Sequence, residues 1–191
     1  VPLALEVTDE ASVAAAATQA SDVTILINNA GLTSGASYLD SPLDEVRRDM
    51  EANFYGPLLL TRAFAPVIER NGGGHILNVH SALSWFADGG PYSASKAANI
   101  NFAQCLAKDL APRGVRVNTV CPGMVQTPLN RAVWQAWHDQ VAPADRLPYD
   151  EWADRQIRAV VPLGRWQTPE AIADISDSSR VDAELSRTVA V

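Results

Sequence analysis

The sequence predicts an α/β fold: a doubly wound parallel sheet of Rossmann type, in three α/β/α layers, formed by a single domain. Short β-branched runs alternate with longer segments of helical period, which is the pattern of strands joined by crossover helices. The run Val23-Thr24-Ile25-Leu26-Ile27 is unbroken, as suits a strand buried on both faces. With 191 residues, 47% of them hydrophobic, the chain can bury one sizeable core.

Leu3 to Val7 reads as a first strand, after which Thr8, Asp9 and Glu10 open an alanine-rich helix with acids where its dipole favours them. Val23 to Ile27 is the next strand and runs into Asn28-Asn29-Ala30-Gly31, a loop-forming group. Ser41-Pro42-Leu43-Asp44 looks like a helix start with a capping serine and a first-turn proline. The helix should bend or restart at Gly56-Pro57, where a backbone donor is lost, and resume towards Arg70. Asn71-Gly72-Gly73-Gly74 stops it. His75 to His80 is a third strand, Tyr92 to Leu110 a helix and Val115 to Val120 a fourth strand, broken by Cys121-Pro122-Gly123. A Trp-rich stretch follows, then a helix start at Thr168-Pro169-Glu170, and from Ser176 a polar, loosely specified tail.

A formal charge of −7 and a pI near 4.9 disfavour a nucleic-acid surface, since phosphates would be repelled. No apolar run approaches the roughly 20 residues that cross a bilayer, and the first residues lack a signal pattern, so a cytoplasmic location without membrane association is expected. Cys105 and Cys121 make no CxxC pair and read as reduced core residues. His75, His80 and His138 have no partner at metal-ligand spacing, so no metal is expected. A serine-hydrolase reading of His80 beside Ser81 fails, because no G-x-S-x-G elbow is present and adjacent strand residues face opposite ways. Trp134, Trp137, Trp152 and Trp166 fit a lid over a substrate and a role in packing and oligomer surface equally well.

Chemistry concentrates in Pro91-Tyr92-Ser93-Ala94-Ser95-Lys96, where a tyrosine and a lysine four residues apart share a helix face. A phenol of pKa near 10 is a poor base at neutral pH, and a neighbouring ammonium would stabilise the phenolate and lower that value. Ser81 closes the preceding strand at its carboxyl end, where α/β proteins collect their sites, and could orient a carbonyl oxygen.

Taken together these residues resemble the short-chain dehydrogenase/reductase family. Asn28-Asn29-Ala30-Gly31 is similar to its NNAG turn, Asn53-Phe54-Tyr55-Gly56 to its NxxG helix motif, Ser81, Tyr92 and Lys96 to its serine and YxxxK pair, and Pro122-Gly123-Met124-Val125-Gln126-Thr127 to its PG-x-V-x-T segment. The similarity runs from Leu3 to about Ile175. It implies an NAD(P)-dependent oxidoreductase that moves a hydride between the cofactor, NAD or NADP, and a small alcohol or carbonyl. It further implies Tyr92 as acid/base, Lys96 as its tuner and ribose ligand, Ser81 as the group orienting substrate, and Asn53 completing a tetrad. Asn28, Ala30 and Gly31 would line the adenosine side, Glu6 and Val7 would touch the adenine, and Pro122, Gly123, Val125 and Thr127 would hold the nicotinamide end. A homodimer or homotetramer on the helices after Ser41 and Tyr92 is implied as well. The sequence departs from the pattern in carrying Glu6 where an aspartate is usual and in a short Ser81 to Tyr92 interval. It also shows no glycine-rich phosphate turn, because Gly72-Gly73-Gly74 precedes a strand. The chain therefore reads as truncated at both ends, and a non-catalytic protein that keeps the fold for binding or assembly is the competing reading.

Overall fold

A computed structural model describes residues 2–87, 89–178 and 188–190. Two compact units divide the chain, Val1–Cys121 with Ser176–Val191 and Pro122–Ile175.

The first unit has the Rossmann-like α/β architecture. Its elements are α1 (Glu10–Gln19), β1 (Ile25–Asn28), α2 (Leu43–Met50), one π turn (Glu51–Tyr55), α3 (Gly56–Arg70), β2 (Gly74–Val79), a 3-10 turn (Ala82–Trp85), α4 (Gly90–Leu110) and β3 (Val115–Val120). The strands are parallel in the order β3-β2-β1-β4, with β4 formed by Thr188–Ala190. Leu26, Leu60, Phe64, Ile68, Ile76, Leu110 and Val115 form one cluster at 0–4% exposure, which accounts for the continuous apolar runs. Burying each such side chain is worth about 1.5–3 kcal/mol.

Asp9 caps α1 through a bond from the Ala11 N–H at 2.9 Å. Gly73 and Gly74 sit at φ 97° and 159°, and a Cβ on either would fall on the carbonyl oxygen of Gly114 or Thr24. Only glycine lets the end of α3 turn into β2 this closely.

Three expectations need correction. Leu3–Val7 is not a strand: it has no ladder partner among the described residues, and the edge of β1 away from β2 is paired by Thr188–Ala190. An apolar run becomes a strand only where backbone donors and acceptors find a neighbour. Ser41 does not cap α2, because its hydroxyl accepts the Ser37 N–H at 2.9 Å and Pro42 takes the cap position. Cys105 and Cys121 are free but exposed. The restart at Gly56 is present, preceded by the π turn. The loosely specified tail lies largely outside the described residues.

The second unit holds α5 (Pro128–Gln140), α6 (Tyr149–Val160) and most of α7 (Pro169–Ser178), whose start is supported by the Ala171 N–H bonding Thr168 Oγ1 at 3.2 Å. Trp134, Trp137, Tyr149 and Trp152 pack ring to ring at 5.8–6.2 Å between centroids, and Trp152 is 4% exposed. For these three tryptophans packing accounts for the enrichment.

Candidate active site

The residues singled out in the first unit gather beyond the carboxyl ends of β1 and β2. Ser81 follows β2 in extended conformation, with φ −159° and ψ 149°. Its Oγ accepts the Leu83 N–H at 3.2 Å, capping the 3-10 turn, and is also hydrogen-bonded to the Tyr92 hydroxyl. One serine thus does the capping work expected of a strand-end serine and meets the tyrosine.

Tyr92 and Lys96 project from the first turns of α4, with Lys96 Nζ 5.8 Å from the centre of the Tyr92 ring. That ammonium also donates to the Val79 carbonyl at 3.1 Å, and Lys96 is only 5% exposed. Burial pulls its pKa down to about 8. Tyr92 moves the other way: burial raises its pKa, the Ser81 hydrogen bond opposes that, and the nearby Asp49 carboxylate adds to the rise. A lowered phenol pKa was the sequence expectation. The structure differs because desolvation of the phenolate outweighs the stabilisation from its neighbours.

Asn53 lies in the π turn, buried completely. Its side-chain amide clasps Leu32 by two bonds, accepting the Leu32 N–H at 3.0 Å and donating to the Leu32 carbonyl at 2.8 Å. Its own carbonyl, turned aside by the widened helix, accepts from Asn99 Nδ2, which also donates to the Ser95 carbonyl at 3.2 Å. The π turn therefore ties the loop after β1 to α4. Asp49, one turn earlier and 0% exposed, grips the same loop: its carboxylate accepts the Ser34 N–H at 2.8 Å and the Ser34 hydroxyl at 3.0 Å.

Gly31 lies against this cluster, where a Cβ would stand 2.9 Å from Asn53 Oδ1 and 3.2 Å from Lys96 Nζ. Gly56 admits Val7 in the same manner, with Val7 Cγ2 3.1 Å from its virtual Cβ. Glu6, Val7, Ala30 and Gly31 line one open cleft of about 810 Å³, together with Arg47 and Arg48 of α2. The Glu6 carboxylate is turned onto Thr8, accepting its N–H and hydroxyl at 3.1 and 2.8 Å, and these bonds hold its pKa below the usual value. Asn28 is turned into the sheet instead of the cleft, donating to Asn78 Oδ1 at 2.8 Å. His80 is 5% exposed, and neither ring nitrogen has a hydrogen-bond partner. Burial and the Lys96 charge pull its pKa down to about 4, so it is neutral at physiological pH.

Pro122, Gly123, Val125 and Thr127 belong to the second unit. Gln167 holds this segment: its Oε1 accepts the Gly123 N–H at 2.8 Å, its carbonyl accepts the Gln126 N–H at 3.0 Å, and its N–H donates to Met124 at 2.9 Å. Thr127 precedes α5 without spending its hydroxyl on the cap.

Sequence reasoning missed Asp49, Asn99 and Gln167. The first two carried a signal, because Asp49 is one turn from Asn53 and Asn99 one turn from Lys96, polar residues recurring on one helix face. A lone glutamine at position 167 carried none. Among the described residues no three His, Cys, Asp or Glu side chains converge as a metal site would require, and no helix is long and apolar enough to cross a membrane.

The family profile described as short chain dehydrogenase matches residues 1–137. A putative ketoacyl reductase of the monensin polyketide synthase from Streptomyces virginiae is 36% identical over 96% of this chain and 72% of its own length. A 3-oxoacyl-acyl-carrier-protein reductase of Aquifex aeolicus is 30% identical over 80% of this chain and 56% of its own. Among solved structures, a short chain dehydrogenase of Burkholderia cenocepacia in complex with NADP is 33% identical, with a TM-score of 0.66 over 95% of this chain and 74% of its own. The chain spans only part of each of these relatives. With its Rossmann-like sheet and these matches, it belongs to the short-chain dehydrogenase family.

Proposed function

We propose that the chain carries the reacting region of an oxidoreductase that reduces a carbonyl to an alcohol, with Tyr92 as proton donor. The observation that carries this reading is the Ser81–Tyr92 hydroxyl pair with the buried Lys96 ammonium one turn behind it. NADH or NADPH, when bound, supplies the hydride. The cleft beside Gly31 fits such a dinucleotide: it is large enough, its glycine leaves room that a Cβ would fill, and Glu6, Val7 and Ala30 line it. The NADP complex of the related Burkholderia protein supports the same choice.

The Ser81 hydroxyl would orient the substrate oxygen, and the Tyr92 O–H would deliver its proton there as the alcohol forms. Burial and Asp49 keep Tyr92 protonated at neutral pH, which suits an acid in the reductive direction. Lys96, charged below about pH 8, would stabilise the phenolate left behind and reach the cofactor ribose. Asn53 would act through the loop it clasps at Leu32. Pro122, Gly123, Val125 and Thr127 would hold the nicotinamide end. Half-buried Phe54 and Phe102, 5.8 Å apart, offer apolar surface for a homo-oligomer built on the helices that follow Ser41 and Tyr92.

Oxidation of NADH or NADPH with a panel of ketones and aldehydes tests the reading. Ser81→Ala is expected to lower kcat roughly 10²-fold, because a positioned hydroxyl next to the proton donor is lost. Carbonyl-dependent oxidation that is indifferent to Ser81 would refute the assignment.

A further inference from the structure

Two loops leave the site, and both present large apolar side chains to solvent. The first follows Ser81: Trp85 is 68% exposed and Phe86 61% exposed. The second follows β1: Tyr38 is 59% exposed and Leu39 93% exposed. Scattered apolar residues need no explanation, but four on the two loops that border one reacting pair are not scattered.

The loops are fastened together. Tyr38 donates its hydroxyl proton to the Gly90 carbonyl at 3.0 Å. A Cβ on Gly90 would stand 2.6 Å from the Ala36 carbonyl oxygen, so the backbones meet at the start of α4, next to Tyr92. Trp85 is fastened as well, since its indole is hydrogen-bonded to Cys121 at the end of β3. An indole anchored by its polar edge while its face stays in water has little side-chain entropy left to lose when something apolar covers it.

The charge of the loops narrows what could cover it. Residues 33–42 and 81–91 include no lysine or arginine, and their only charged residues are Asp40 and Asp88. Lys96 is buried and committed to Val79 and Tyr92. A carboxylate or phosphate near the reacting carbonyl would find no cation on either loop.

We infer that the substrate is an uncharged carbonyl compound with a bulky apolar body, an aryl or long-alkyl ketone or aldehyde, whose body lies on Trp85 and Phe86 while its oxygen meets Ser81 and Tyr92. This rests on the carbonyl-reduction reading and specifies the substrate class.

The test compares kcat/KM for acetone, methyl nonyl ketone, acetophenone and pyruvate, with NADH and with NADPH. Methyl nonyl ketone and acetophenone are expected to exceed acetone at least tenfold, and pyruvate to fall below acetone. In the Trp85→Ala/Phe86→Ala double variant the ratio of methyl nonyl ketone to acetone is expected to fall at least fivefold through KM. Trp85→Phe, which keeps an aromatic face, should retain most of that ratio. Equal rates for small and large ketones, a preference for pyruvate, or an unchanged ratio in the double variant would overturn the inference while leaving carbonyl reduction standing. No turnover of any carbonyl with either cofactor would overturn both.

Discussion

Two buried clusters flank β2, equally hidden from water and built from opposite materials. Along the sheet, Leu26, Phe64, Ile68 and Ile76 are 0% exposed and wholly apolar. Beyond the end of the strand, Asp49, Asn53, His80, Lys96 and Asn99 are at most 5% exposed and wholly polar. The first cluster gains free energy by leaving water. The second loses it unless every group finds a partner, and several do not: both nitrogens of His80 and the Asn99 Oδ1 have none. Polar groups concentrated where they cost stability are consistent with the reacting site proposed around Ser81, Tyr92 and Lys96.

The contrast can be broken by substitution on either side. Phe64→Ala in the apolar cluster should destabilise by about 3–5 kcal/mol, through lost transfer energy and an unfilled cavity. Denaturant unfolding measures it, and a loss below about 1 kcal/mol would mean that this cluster does not hold the fold. Lys96→Met should do the reverse. Its folded pKa near 8 lies below the ordinary 10.5, so the ammonium is disfavoured in the folded state at neutral pH. Replacing it with an apolar side chain of similar length should add on the order of 1–2 kcal/mol, after the lost bond to Val79 is counted, while activity collapses. A gain in Tm with loss of turnover sharpens the comparison; a loss of both would place Lys96 among the groups that stabilise the fold.

The effect of His80 is read through pH. Unfolded, it protonates near 6.5, and folded, only near 4. Between those values the unfolded chain binds more protons, so stability should fall as pH drops from about 6.5 to 4. His80→Leu should flatten that part of the stability profile. Lys96→Met should narrow the window, since the lysine charge contributes to the low pKa.

The apolar cluster was the more legible of the two. Short runs rich in Val, Ile and Thr between helical segments placed β1, β2 and β3 to within two residues at their ends, because such residues suit the pleated backbone of a strand. Leu3–Val7 also read as a strand and formed none, since strand formation depends on a partner that the segment itself does not encode. At the polar cluster, Ser81, Tyr92 and Lys96 could be picked out because motif spacing is local. The clasp of Asn53 on Leu32 and of Asp49 on Ser34 joins residues 21 and 15 positions apart, and no local pattern announces it. The direction of the Tyr92 shift was likewise beyond a sequence reading, because it is decided by burial, which adjacency along a helix does not reveal.

The central claim is that the Tyr92 hydroxyl delivers the proton, and Tyr92→Phe tests it most directly. The ring, its burial and its place above Lys96 are retained, and one O–H is removed. Single-turnover carbonyl reduction with saturating NADH or NADPH should slow by about 10³-fold or more, equivalent to roughly 4 kcal/mol of barrier, with cofactor affinity within about twofold of the parent. A variant that reduces the carbonyl at near-parental rate would contradict the account.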